Sequence, residues 1–170
     1  MTSTVLVGYA TRYGSTKEVA EAVVNTLREE GFTVEIQPLR DVRSLKGMDA
    51  VIMGAPLQMF HWHPDAMRFL SRFKAQLLNL PVAVFALGPF HIEETEFTQA
   101  RTQLSNDLAK SPWFSPIDVT VFGGKFDPAV LAFPMNMMPA LKQMPAVDIR
   151  DWDAIREWAK HVGENLQTGG

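Results

Sequence analysis

The sequence predicts an α/β domain built on an open, doubly wound parallel sheet of five strands, and three observations carry that prediction. Short apolar runs alternate with longer stretches of helical periodicity along the whole chain. The runs at 50–55 (AVIMGA) and 82–88 (VAVFALG) are continuously apolar, as strands covered on both faces are. Between successive strands lie enough residues for a covering helix, which right-handed connections between parallel strands require.

Taken in order, residues 4–9 (TVLVGY) form the first strand, and Val19, Ala22, Val23 and Leu27 give the first helix its apolar stripe. Gly31 is the natural stop for that helix, and 33–39 reads as the second strand. After a connector at 41–47 come the third strand at 50–55 and a helix opened by Pro64 that runs through about residue 79, with Met67, Phe69, Leu70, Phe73, Leu77 and Leu78 mostly inward. The fourth strand is 82–88. Phe97, Ala100, Leu104 and Leu108 mark the next helix, 119–124 (VTVFGG) the last strand, and Trp152, Ile155, Trp158, Ala159, Val162 and Leu166 the closing helix. No internal repeat is present.

Composition narrows the function. The chain has 170 residues, 46% hydrophobic and 21% charged, which is enough for one domain with a substantial core over 1–170. A net charge of −3 removes the electrostatic case for nucleic acid. With no cysteine, disulfides, thiol relays and thiolate metal sites are excluded, so any redox chemistry must come from a cofactor. The N-terminal MTSTVLVGYA lacks the basic region of a secretion signal and no stretch reaches membrane-span length, so a cytoplasmic location is expected.

The most informative stretch is YATRYGSTKE at 9–18, where a strand ends, a hydroxyl-rich turn follows and a helix begins. Free N–H groups and the positive end of the helix dipole make such a start an anion site. Thr11, Ser15 and Thr16 add hydroxyls, Gly14 permits a tight turn, and Ser15 or Thr16 is also placed to cap the helix. An ordinary capped turn is the competing explanation. The loop has neither the glycine spacing of a dinucleotide fingerprint nor the Gly-Lys of a nucleotide P-loop, so it suits a phosphate monoester held by hydroxyls. A ligand at the carboxyl end of the first strand implies strand order 2-1-3-4-5, with the loop after strand 3 as the opposite wall.

On these residues the chain resembles flavodoxin-family FMN proteins over nearly its whole length. T-R-Y-G-S-T matches that family's phosphate loop. More narrowly, G-A-P-L-Q-M-F-H-W-H at 54–63 and D-W-D-A-I-R-E-W-A at 151–159 resemble the flavodoxin-type, quinone-dependent protoporphyrinogen dehydrogenases. The resemblance implies FMN as cofactor. Thr11, Arg12, Tyr13, Gly14, Ser15 and Thr16 would hold its phosphate, while Pro56, Leu57, Gln58, Met59 and Phe60, with Leu87, Gly88, Pro89 and Phe90, would frame its ring. Trp62, Phe60, Met59 and Phe90 are the flat or polarisable surfaces suited to a heterocycle, with core packing as their alternative role. His61 and His63 lack the acidic or thiolate partners of a metal site, so no metal is expected, and no catalytic residue is assigned.

The departure from a plain flavodoxin is KFDPAVLAFPMNMMPALKQMP at 125–145, an apolar insertion whose prolines forbid one continuous helix. Its Met, Phe and Leu suit a substrate channel, a packed cover, a homodimer contact or a peripheral membrane contact through 126–145. Only Lys125 and Lys142 are basic, against the several cations a membrane surface contact needs. Three functions follow. The first is an FMN-dependent oxidoreductase passing reducing equivalents from a bulky apolar donor such as a porphyrinogen to a small-molecule or quinone acceptor. The second is an electron carrier between redox proteins. The third, a receiver-type signalling domain, needs acidic residues where this chain has Tyr9-Ala10-Thr11 and Gly54-Ala55-Pro56, and is set aside.

Overall fold

In a computed structural model, residues 2–169 are described. The strands of the main sheet are β1 (Thr4–Tyr9), β2 (Thr33–Pro38), β3 (Ala50–Gln58), the short β4 (His61–Trp62), β5 (Val82–Leu87) and β6 (Asp118–Phe122). The five long ones lie in the order β2-β1-β3-β5-β6 and all four neighbouring pairs are parallel, which is the expected 2-1-3-4-5 arrangement.

Side chains alternate across this sheet into two apolar layers. On one face Val5 and Val7 of β1, Ile52 of β3 and Phe85 of β5 meet Val19, Val23 and Leu27 of α1 (Ser15–Glu29) and Ile155, Trp158 and Val162 of α6 (Trp152–Thr168). On the other, Leu6, Met53 and Val84 pack on Phe69 and Leu70 of α2 (Pro64–Arg72), Leu77 of α3 (Lys74–Leu77) and Leu104 of α4 (Glu94–Leu108). The helices thus cover both faces. Gly54 must lack a side chain, because a Cβ there would enter the Phe85 ring, which is wedged against Trp158 with centroids 5.8 Å apart.

Helix α1 ends as its sequence demands. Gly31 has φ +95°, and the amides of Gly31 and Phe32 close on the carbonyls of Arg28 and Leu27, so a residue free to adopt the left-handed conformation satisfies the last carbonyls.

Five elements differ from expectation, the fourth strand by a single residue, since it ends at Leu87. The helix drawn through residue 79 is two pieces, α2 and α3, broken at Phe73 with φ −107° and ψ 20°. Strand 2 ends at Pro38, where a 3-10 turn (Leu39–Asp41) takes over and buries Leu39. The last strand starts and stops earlier, at Asp118 and Phe122. Finally β3 runs on to Gln58 and turns back as β4, pairing Leu57 with Trp62 and Gln58 with His61 in antiparallel register.

The 125–145 segment leaves and re-enters through a two-stranded antiparallel ribbon, β7 (Lys125–Phe126) with β8 (Val147–Asp148). Between them lie two 3-10 turns and the single-turn α5 (Pro139–Lys142). Leu131 is its one buried hydrophobic residue, while Phe133 and Met137 are 75% and 70% exposed.

Candidate functional site

The loops at the carboxyl ends of β1, β3 and β5 gather on one end of the sheet, where parallel α/β sheets carry their ligands. The β1 loop is held by Thr11, whose Oγ1 accepts the N–H of Gly14 at 2.8 Å, and by the φ of +92° at Gly14. No side chain caps α1: Gly14 occupies the cap position, and Ser15 and Thr16 lie inside the first turn. The capping role open to Ser15 and Thr16 is therefore not taken up. Thr16 is fully buried, yet its Oγ1 has no hydrogen-bond partner. Buried hydroxyls are rarely left so. An orphaned hydroxyl beside first-turn amides that have no intrahelical acceptors fits a phosphate oxygen. Arg12 lies over the Tyr13 ring at 5.3 Å, leaving its charge at the exposed mouth of the loop.

The opposite wall is the hairpin β3–β4. Its two turn residues, Met59 and Phe60, have φ +50° and +69°, the positive values a two-residue hairpin needs, and both are about three-quarters exposed at 76% and 74%. Non-glycine residues held in this region cost about 1–3 kcal/mol each, and such strain collects at binding sites. Trp62 does not join that surface. It is 1% exposed, with its indole N–H on the carbonyl of Ala55 at 3.0 Å, so the core role wins for this residue. Pro56, Leu57 and Gln58 lie on the extended end of β3, half-buried.

Asp107 of α4 anchors this hairpin. Its carboxylate accepts the Trp62 N–H at 2.7 Å, meets Lys110 at 2.9 Å and lies 3.3 Å from His61 Nδ1. Burial alone would raise its pKa, but the hydrogen bonds from Lys110, Trp62 and His61 outweigh that and hold it below the usual carboxylate value. His63 instead serves the next helix, where its Nδ1 accepts the Asp65 N–H at 3.1 Å and caps α2. Burial lowers the His63 pKa against the pull of Asp65, with Arg68, Arg12 and Arg40 adding to the depression. The two histidines thus have separate structural roles, and the described residues gather no cluster of three or more metal-ligating side chains.

The third wall is the loop after β5. Leu87 is buried at the end of the strand, Gly88 and Pro89 follow, and Phe90 is 36% exposed. Glu96 of α4 pins it, accepting the N–H groups of Phe90 and His91 at 3.0 and 3.1 Å and pairing with His91 Nδ1 at 2.6 Å. A cleft of about 240 Å3 opens here, lined by Leu57, Phe60, Gly88, Pro89 and Phe90 with Glu96, Gln99, Ala100 and Gln103 of α4. A roomier hollow of about 530 Å3 lies at the amino ends of the strands, away from the loops that carry the orphaned Thr16 hydroxyl and the positive-φ turn.

The apolar insertion leans on two of these loops. The Tyr13 hydroxyl faces Met135 Sδ at 4.0 Å and the Ala132 N–H at 3.5 Å, while Phe126 packs on Phe90 with centroids 5.7 Å apart. Asp107, Glu96 and Arg150 carry no signal in the sequence, because each belongs to no local motif and Asp107 and Arg150 act on residues far along the chain.

This arrangement defines a doubly wound domain with a hydroxyl-bearing loop at the start of α1 facing an apolar turn held at positive φ. The flavodoxin domain family matches residues 6–146, and the chain belongs to it; FMN is the cofactor of this family. Protoporphyrinogen IX dehydrogenase [quinone] of Escherichia coli (strain K12) is 20% identical over 168 residues, covering 92% of this chain and 93% of the relative. Among solved structures, a short-chain flavodoxin associated with a PDU bacterial microcompartment aligns with TM-score 0.63 at 14% identity, over 96% of this chain and 99% of that one. Oxidised Flavodoxin 1 from Bacillus cereus aligns with TM-score 0.60 at 16% identity, over 98% of each chain. No helix among the described residues is long and apolar enough to cross a membrane.

Proposed function

We propose that the protein is an FMN-dependent oxidoreductase that takes reducing equivalents from a bulky apolar donor of the porphyrinogen class and delivers them to a quinone. The observation carrying this reading is the 125–145 segment, which bears the exposed Phe133, Met137 and Met138 and touches, through Met135 and Phe126, the Tyr13 and Phe90 loops that would flank the cofactor. A soft apolar surface at that place suits a large planar apolar molecule. The resemblance to a quinone-dependent protoporphyrinogen IX dehydrogenase supports the same assignment.

Bound FMN supplies the redox centre. The Thr11 hydroxyl, already accepting from Gly14, keeps its own proton to donate, and Thr16 Oγ1 with the first-turn amides of α1 would hold the phosphate. Met59, Phe60 and Phe90 would frame the ring, on supports fixed by Asp107 and Glu96. Anaerobic reduction of the purified holoprotein tests the reading. Rapid reoxidation by a quinone, with porphyrinogen as an effective donor, is expected; selective exchange with ferredoxin-like proteins and indifference to quinone would instead establish an electron carrier.

A further inference from the structure

Among the described residues, Arg150 is the one buried cation, its side chain 4% exposed. It follows the ribbon strand β8, and nothing in its local sequence marks it. Its Nε and Nη2 grip the two oxygens of Asp148 at 2.9 and 2.8 Å, and the guanidinium lies over the Trp152 ring at 4.8 Å. Fixed from that side, it reaches across to α1: Nη1 donates to the carbonyl of Ser15 at 3.2 Å and lies 3.5 Å from Glu18 Oε1. Ser15 opens the helix and Glu18 is the acidic residue of its first turn.

A carboxylate in the first turn of a helix normally gains from the macrodipole. Here it shares that turn with the position of a phosphate dianion and competes with it for the same positive field. A cation at the Glu18 carboxylate cancels much of the competition, and a buried one is screened little by salt. Being held bidentately by Asp148, the guanidinium keeps this position instead of swinging to solvent.

We propose that Arg150 is a positioning residue of the phosphate cradle: it fixes the first turn of α1 through Ser15 and neutralises Glu18, so that the turn accepts a phosphate dianion. The inference rests on the placement of the FMN phosphate at this turn. It also gives the ribbon at the base of the apolar insertion a role in cofactor retention, since Asp148 of that ribbon aims the guanidinium.

The test is titration of the apoprotein with FMN and with riboflavin, which differ by the phosphate, at low and high ionic strength. Arg150→Met is expected to weaken FMN by about tenfold or more, equivalent to about 1.4 kcal/mol, with riboflavin little changed. Glu18→Gln, a surface change, is expected to tighten FMN a few-fold at low salt and to recover part of the loss in the double variant. Arg150→Lys, which keeps the charge and loses the fork, is expected to fall between. Thermal unfolding of each apoprotein separates lost folding from lost affinity, and Arg150→Lys, alone and with Glu18→Gln, carries the comparison if Arg150→Met does not fold. Equal losses of FMN and riboflavin in Arg150→Met, or a gain in FMN from Glu18→Gln that is no larger in an Arg150 variant than in the unaltered protein, overturn the proposal. If Thr16→Val also fails to separate the two ligands, the phosphate placement itself is wrong and Arg150's role falls with it; if Thr16→Val separates them and the Arg150 variants do not, only the inference falls.

Discussion

The carboxylate of Asp107 and the backbone amide of Trp62 meet at 2.7 Å across 45 residues of chain, and this contact holds the Met59–Phe60 turn to α4. Asp107→Ala leaves the Trp62 N–H buried without an acceptor. The expected cost is about 1–3 kcal/mol of unfolding free energy. Asp107→Asn, which keeps a carbonyl oxygen for that N–H, is expected to lose less. Denaturant unfolding of both variants checks the order. Because the folded pKa of Asp107 lies below its ordinary 3.8, its stabilisation is present above that value and fades as pH falls through the folded pKa.

Thr16 separates folding from binding. Its Oγ1 is buried and unpartnered, so replacing it by a methyl of the same shape in Thr16→Val is expected to leave the apoprotein as stable or slightly more so. The same change is expected to weaken FMN by about 1.5–3 kcal/mol, the value of a charge-assisted bond, while barely affecting riboflavin. Thr11 gives a less clean result, since removing its Oγ1 also frees the Gly14 N–H. Calorimetry on the apoprotein and paired ligand titrations check both halves.

The His91–Glu96 pair makes the loop after β5 sensitive to pH. The hydrogen bond to Glu96, and then its charge, raises the His91 pKa above 6.5, so the stabilisation His91 contributes is complete below 6.5 and is lost as pH rises through the folded pKa. The bond to His91 lowers Glu96 below 4.5 despite partial burial, so its contribution is present above 4.5 and lost as pH falls through its folded pKa. Amide exchange at Phe90 and His91 is expected to be slowest between those two limits. In Glu96→Gln the alkaline limb set by His91 should disappear; its persistence would show that another group controls the loop.

For the apolar insertion, exchanging its core at 128–139 for a short polar turn is expected to change the melting temperature little, because Leu131 is its one buried hydrophobic residue. FMN binding should survive and quinone or porphyrinogen turnover per bound flavin should collapse. Undiminished turnover per flavin would remove the segment from the substrate path.

The sheet was legible because its strands are fully covered. Runs such as AVIMGA and VAVFALG signal burial on both faces without help from their partners, and Gly31 announces the end of α1 by conformational freedom alone. The β3–β4 hairpin was not legible, since its turn is Met59–Phe60 where Asn-Gly is the usual signal, and positive φ at such residues is imposed by tertiary contacts. Trp62 reads as a ligand surface in the sequence because it falls in the loop after the third strand, at the carboxyl end of the sheet. Its inward orientation follows from the pairing of Leu57 with Trp62, which no local pattern encodes. Phe73 breaks its helix with no Gly or Pro to mark the spot. Of the candidate site, the turn at 11–16 between β1 and α1 can be read from one short stretch, whereas the contacts of Asp107, Glu96 and Arg150 with the loops depend on packing between separate elements.

Because Lys125 faces Asp148 in register, the insertion starts and finishes at neighbouring points about 5 Å apart, as paired strands do. Its length is then nearly decoupled from the sheet: doubling a flexible loop between fixed ends costs only about 0.6 kcal/mol in closure entropy. Descendants of this chain can lengthen, shorten or recompose that appendage by mutation while inheriting the same flavin socket. Selection can thereby revise what the protein meets at its surface with little disturbance to the part that carries the electrons.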